Sequence, residues 1–296
     1  MRGTHAERAV ERAIRNSGAI VPGESLLVAC SGGPDSVALA AALNVQAHSL
    51  RLRLRLAYVN HGVRASALQD ECVVASLGAA CGLAVDIVRL TAEASDESSL
   101  RDARYAALSD LARREDCGVV ATAHHAEDQT ETVLLALFRG SGPDGLFGMP
   151  ARRALGEGVS LARPLLHIAA DTLRDACHAH ALPYAVDATN ADFELRRNAV
   201  RGALAALRPL FPGLDEAVAR AATLTGEEAR STRKAELRRR VRACLAEQEE
   251  LRDVAFTHVE AAVRALEAGR SGSFWMKPGL RLEIQSGVVA GITRSS

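Results

Sequence analysis

The stretch Leu26-Leu27-Val28-Ala29-Cys30-Ser31-Gly32-Gly33-Pro34-Asp35-Ser36 runs directly into Val37-Ala38-Leu39-Ala40-Ala41-Ala42-Leu43. A short apolar run, a glycine turn and an Ala/Leu-rich helical pattern in that order make a strand, loop and helix. The glycines allow the backbone to turn tightly and aim N–H groups outward, while the helix N-terminus adds partial positive charge. Pro34 suits the first helical turn, and the hydroxyls of Ser31 and Ser36 add donors. The loop therefore reads as a phosphate cradle. It has neither a Gly-Lys-Ser/Thr ending nor G-x-G-x-x-G spacing, so it is not one of the two commonest nucleotide loops. Asp35 would repel phosphate unless a divalent cation stood between them, which points to Mg²⁺ with Asp35 as its ligand. The plainer alternative is an ordinary turn with Asp35 as a capping carboxylate.

Outward from this loop, short β-type runs alternate with helical ones. Strands are expected at 26–29, 54–59, 85–88, 119–123 and 184–186, and helices at 36–47, 67–81, 100–114, 127–138 and 169–180. That alternation predicts an α/β fold with a doubly wound, Rossmann-like parallel sheet. Ligands bind such sheets beyond the carboxyl ends of the strands, where SGGPDS, NHGVR and HHAEDQTET all fall. The Gly- and Pro-rich segment 139–158 reads equally as a flap or as a long connection. Beyond residue 208, Pro209 and Pro212 punctuate the chain and a charged helical stretch follows to about Leu251. The expected organisation is a catalytic domain over 1–208 and a smaller, mostly helical domain over 209–296 that ends in a β-hairpin within 272–292.

The chain has 296 residues, 48% hydrophobic and 24% charged, with zero formal net charge, so nucleic-acid binding would need a local basic patch. No apolar run approaches the roughly 18 residues of a membrane helix, and the charged opening MRGTHAERAVERAI has no signal-peptide core, so a cytoplasmic location without membrane contact is expected. The six cysteines include no C-x-x-C, and neither a zinc site nor a dithiol motif is written locally.

SGGPDS resembles the pyrophosphatase loop, or PP-loop, of the ATP pyrophosphatases, which split ATP between its α and β phosphates. Further segments are similar to the tRNA(Ile)-lysidine synthetase family: YVNHGVR (58–64), RDARYAAL (101–108), AHHAEDQTETVLL (123–135), RGSGPDGLFGM (139–149), ARPLL (162–166) and DATNADFELRRNAVR (187–201). The resemblance implies an adenine nucleotide alpha-hydrolase-like fold and ATP-dependent ligation of L-lysine to C2 of the wobble cytidine of a CAU-anticodon tRNA(Ile), through an adenylated cytidine. It implies that Ser31, Gly32, Gly33, Pro34, Asp35, Ser36 and His61 bind ATP and Mg²⁺. Asp128 and Glu131, three apart on one helical face, are candidates for the lysine ammonium together with Arg197, and Asp128 is the candidate base. Arg104 is the candidate for α-phosphate stabilisation, since a guanidinium suits bidentate phosphate contact. His124, His125, Asn198 and Arg201 are further candidates. Asn60 stands where many relatives carry Asp, which removes any charge-based role there.

Arg230, Arg233, Lys234, Arg238 and Arg239 lie in a basic run from 227 to 242 that reads as a tRNA backbone contact or, more blandly, as a solvated face. Self-association into a homodimer is left open. Two other functions fit the loop: a PP-loop tRNA thiolation enzyme, which would need a reactive cysteine, and a non-catalytic ATP-binding module.

Overall fold

The computed structural model describes residues 4–60, 67–90, 97–180, 182–185, 195–231, 233–247, 254 and 256–294. His61 and residues 187–194 of the last family-like segment lie outside them. The chain divides into two compact units, one of residues 1–131 and 149–219, the other of 132–148 and 220–296.

The first unit opens with α1 (His5–Asn16), started by a capping box in which the Thr4 hydroxyl accepts from the Glu7 N–H and the Glu7 carboxylate reaches back to Thr4. Then follow β1 (Ser25–Ala29), α2 (Pro34–Leu50), β2 (Arg53–Asn60), α3 (Ala67–Cys81), β3 (Ala84–Arg89), α4 (Glu97–Arg114), β4 (Val119–Ala121) and α5 (Ala126–Phe138). After the short α6 (Pro143–Leu146) come β5 (Arg152–Gly156), β6 (Val159–Ala162), α7 (Ala170–Ala179), α8 (Leu195–Leu207) and α9 (Leu214–Ser231). The chain ends with α10 (Arg233–Glu247), α11 (Phe256–Glu267), β7 (Gly272–Lys277), β8 (Leu280–Gln285) and β9 (Val288–Arg294). No helix among the described residues is long and apolar enough to cross a membrane.

The main sheet has the order β3-β2-β1-β4-β6-β5, parallel except for the edge strand β5, which runs antiparallel to β6. Leu26 pairs with Leu54 of β2 on one side and with Val119 of β4 on the other. The strand order therefore reverses beside β1, and the crevice of a doubly wound sheet opens there. Side chains alternate across the sheet as the pleat requires. Leu26 and Val28 pack with α1, α2 and α7, while Leu27 packs with Leu108, Leu111 and Ala112 of α4 on the opposite face.

Four of the five expected parallel strands are present. Of the fifth, expected at 184–186, Tyr184 and Ala185 carry no strand and Val186 lies outside the described residues; the sheet's fifth parallel strand is Val159–Ala162. Ala185 N–H donates to Gly32 O (2.9 Å) and the Tyr184 hydroxyl meets His178 Nε2 (2.6 Å), so this segment braces the loop instead of joining the sheet. The segment 139–158 is neither a bare flap nor a bare connection, since it holds α6 and β5.

In the second unit, Val241 and Leu245 of α10 and Val259 and Val263 of α11 pack on Met276, Leu280, Leu282 and Ile284 of the three-stranded sheet β7-β8-β9. The expected hairpin is thus the last two strands of a larger antiparallel sheet.

Candidate active site

The loop between β1 and α2 is held by its own hydroxyls. Ser36 Oγ donates to Gly33 O (2.9 Å), accepts from Ser31 N–H (3.1 Å) and lies 3.2 Å from Ser31 Oγ. Ser36 is buried and Ser31 exposed, so the Ser36 hydroxyl shapes the turn from inside while Ser31 lies at its surface. Gly32 has φ +84°, which favours glycine, and a Cβ there would lie a tight 3.2 Å from Asp70 Cα. Gly33 is the N-cap of α2 with no side-chain cap, and Pro34 occupies the first turn. Those first-turn N–H groups have no intrahelical acceptor and point at the crevice mouth. The Cys177 thiol donates to Pro34 O (3.2 Å), tying α7 to the loop.

Asp35 and the start of α5 meet through His125. Its Nε2 lies 3.6 Å from Asp35 Oδ2 and 3.5 Å from Asp128 Oδ2, and its Nδ1 is 2.9 Å from Glu127 Oε2. Asp128 also accepts from the His125 backbone N–H (3.1 Å), and Glu127 accepts from Ala170 N–H (3.0 Å) at the start of α7. Burial works against a charged His125, but the Glu127 hydrogen bond and the charges of Asp128 and Asp35 outweigh it and raise its pKa to about 9. His125 is therefore an imidazolium at neutral pH. The Asp35 carboxyl is pushed up, first by burial and then by Asp128 and Glu127, against the pull of His125 and Arg174. Among the described residues its buried Oδ1 has no hydrogen-bond partner, which fits a cation ligand.

His124 is the opposite case. Burial, reinforced by Arg163, Arg101 and Arg104 and opposed by Asp128, drives its pKa down to about 3, so the ring is neutral. Its Nδ1 lies 2.9 Å from the Thr122 hydroxyl. Adjacent histidines thus differ by a full charge because they face different neighbours.

Glu131 is buried and engaged by two guanidiniums of α8: Arg201 Nε at 2.7 Å and Arg197 Nε at 3.2 Å. Burial lifts its carboxyl above the ordinary range, against both arginines. Asn198 lies on the same helix. Arg104 is exposed on α4, its guanidinium carbon 6.0 Å from the Tyr105 ring centre. Asn60 donates to Glu71 Oε1 (3.0 Å), and Arg89 to Glu71 Oε2 (3.0 Å), a bond that an aspartate at 60 could not donate. In the basic run, Arg238 is buried and paired with Glu260 of α11, whereas Arg239 and Arg240 are exposed. The side chains of Arg230, Arg233 and Lys234 lie outside the described residues.

Two residues of HHAEDQTET given no role from sequence carry much of the geometry. Glu127 joins His125 to α7. The Gln129 amide both donates to Met149 O (3.0 Å) and accepts from Met149 N–H (2.7 Å), pinning the chain that leads into β5. Their signal was a polar side chain on a helix face otherwise set by apolar spacing.

The PP-loop domain family matches residues 3–207. A tRNA(Ile)-lysidine synthase from Salinispora tropica is 43% identical over 223 residues, 73% of this chain and 67% of that protein. The chain belongs to the tRNA(Ile)-lysidine synthase family. Family members vary in length: the one from Ralstonia nicotianae is 36% identical over 231 residues, and this match spans 75% of the chain but only 50% of that relative. Among solved structures, the U34-tRNA thiolase NcsA from Methanococcus maripaludis has a TM-score of 0.63 at 18% identity, covering 73% of this chain and 78% of that one. At that identity the likeness is one of fold.

Proposed function

We propose that the chain ligates L-lysine to C2 of the wobble cytidine of a CAU-anticodon tRNA(Ile), with ATP cleaved to AMP and pyrophosphate. Asp35 at the loop, Asp128 on α5 and the imidazolium of His125 between them carry this reading: one cluster joins a phosphate cradle to the carboxylates an amine nucleophile needs.

The cytosine C2 oxygen leaves poorly, and transfer of AMP to it makes departure feasible before the lysine ε-amine attacks. The loop would hold the pyrophosphate end of ATP through Ser31 and the N–H groups of Gly32 and Gly33. Asp35, with its partnerless oxygen, fits Mg²⁺, which would neutralise charge on the phosphate oxygens. Lysine carries both signs, and so does its proposed site: Asp128 and Glu131 for the ammonium, Arg197 and Arg201 for the carboxylate. Asp128 would take the proton that must leave the ε-amine before attack. His61 and Arg104 complete the ATP contacts in this reading.

In this reading residues 1–208 act as the catalytic domain and 209–296 hold the tRNA through backbone phosphates at Arg230, Arg233, Lys234 and Arg239, in the cytoplasm. Pyrophosphate release tests the reading. It should appear only when ATP, Mg²⁺ and the CAU tRNA are all present. Release with an unrelated acceptor would keep the loop chemistry and remove the substrate, and loss of turnover on thiol blocking would favour thiolation instead.

A further inference from the structure

Arg163 follows β6 directly and is only 2% exposed, yet among the described residues it forms no ion pair with a carboxylate. One of its amino groups donates to Pro150 O (3.0 Å). Its guanidinium and the neighbouring Tyr105 hydroxyl interact with each other, and among the described residues neither Arg163 Nε nor the Tyr105 hydroxyl, both buried, has a further hydrogen-bond partner. Around the same tyrosine ring stand three more guanidinium carbons, of Arg153 at 5.4 Å, Arg101 at 5.6 Å and Arg104 at 6.0 Å. Buried charge without a counter-ion is costly, and four like charges about one ring compound that cost. Such a cluster is stable when an anion fills it.

Its place in the fold says which anion. Thr122 N–H donates to Ala162 O (2.9 Å), so the carboxyl ends of β4 and β6 are neighbours. His124 leaves β4 two residues after that point and Arg163 leaves β6 one residue after it. The cluster therefore borders the crevice described above, and its charge reaches His124, helping to keep that ring neutral.

We propose that Arg163, Arg101, Arg153 and the Tyr105 hydroxyl form a phosphate-binding site beside His124, with Arg163 as its buried anchor. Guanidinium groups match phosphate oxygens in pairs, and a desolvated anchor strengthens each bond. The phosphate belongs either to a nucleotide or to the RNA backbone next to the reacting cytidine. The site deepens the proposed function, on whose substrates it rests.

Equilibrium binding by the full chain separates these. AMP, adenosine and a CAU anticodon stem-loop RNA are titrated against the wild type, Arg163→Met and the more accessible Arg101→Gln. Loss of a charge-assisted phosphate contact weakens binding about tenfold for Arg163→Met, and less for Arg101→Gln. If AMP weakens while adenosine holds, the phosphate is the nucleotide's; if the RNA weakens alone, it is the backbone's. Arg101→Gln carries the test if Arg163→Met does not fold. AMP and RNA affinities that neither variant moves overturn the site. Arg163-dependent phosphate binding in a protein that makes no lysidine keeps the site and removes the proposed reaction.

Discussion

His125 Nε2 stands 3.6 Å from Asp35 Oδ2, so the end of β4 and the first turn of α2 share one charge across the switch point of the sheet. The imidazolium neutralises carboxylates that would otherwise repel one another and ATP. Asp35, Glu127 and Asp128 can gather there because His125 is charged.

The two histidines should titrate far apart. Ring-nitrogen NMR should find His125 charged at pH 7.5 with a midpoint near 9, and His124 neutral down to about pH 3. His125 is raised above its ordinary 6.5, so its stabilisation is complete below pH 6.5 and is lost as pH rises through 9. His124 is depressed from 6.5, so its contribution is complete above pH 6.5 and is lost as pH falls toward 3. The two histidine contributions are both complete only near pH 6.5. A common midpoint for both rings would contradict the geometry.

Glu127→Ala removes the acceptor of both Ala170 N–H and His125 Nδ1. Denaturant unfolding should show a loss of about 2 kcal/mol. The His125 midpoint should fall in the same variant.

Asn60→Asp places a second carboxylate where the amide now donates to Glu71 at 3.0 Å. The cost should be about 2 kcal/mol at neutral pH. Because like charges cause it, the difference from wild type should shrink below about pH 4 as carboxyls protonate. Melting curves at pH 7 and pH 4 check this.

Glu131→Gln removes the buried carboxylate that Arg197 and Arg201 share. Both arginines are partly exposed, so the stability loss should stay near 1–3 kcal/mol, below that of a fully buried pair. The lysine KM should rise while ATP binding is unchanged. An unchanged lysine KM would remove Glu131 from the lysine site.

Within the basic run, Arg238 and Arg240 should behave differently. Arg238→Ala breaks a buried pair with Glu260 and should lower the melting temperature. Arg240→Ala, on the exposed face, should leave stability alone and reduce the salt dependence of tRNA binding by about one phosphate contact. Binding isotherms over a salt series give the slope.

The main sheet was legible because SGGPDS is a local signal: apolar strand, glycine turn and Ala/Leu helix lie within 18 residues (26–43). Val159–Ala162 was hidden, since the strand is only four residues long, is interrupted by Ser160 and lies between a glycine-containing turn and Arg163-Pro164. The 184–186 run has strand-like composition, but Ala185 spends its N–H on Gly32 O. That Asp35, His125 and Asp128 stand in two motifs at strand ends was legible, and the structure brings these three together. Which histidine is charged was not, because the answer depends on Glu127, Asp35 and Arg163 meeting in space. The commitment of Arg238 to Glu260 was likewise invisible in a run of charge.

The most direct measurement is mass analysis of the wobble nucleoside after CAU-anticodon tRNA(Ile) is incubated with the protein, ATP, Mg²⁺ and L-lysine. The account predicts a cytidine heavier by one lysine less one water, formed with pyrophosphate and AMP and lost in Asp35→Asn. An unmodified wobble cytidine with active protein, or the same product from Asp35→Asn at the wild-type rate, would contradict it.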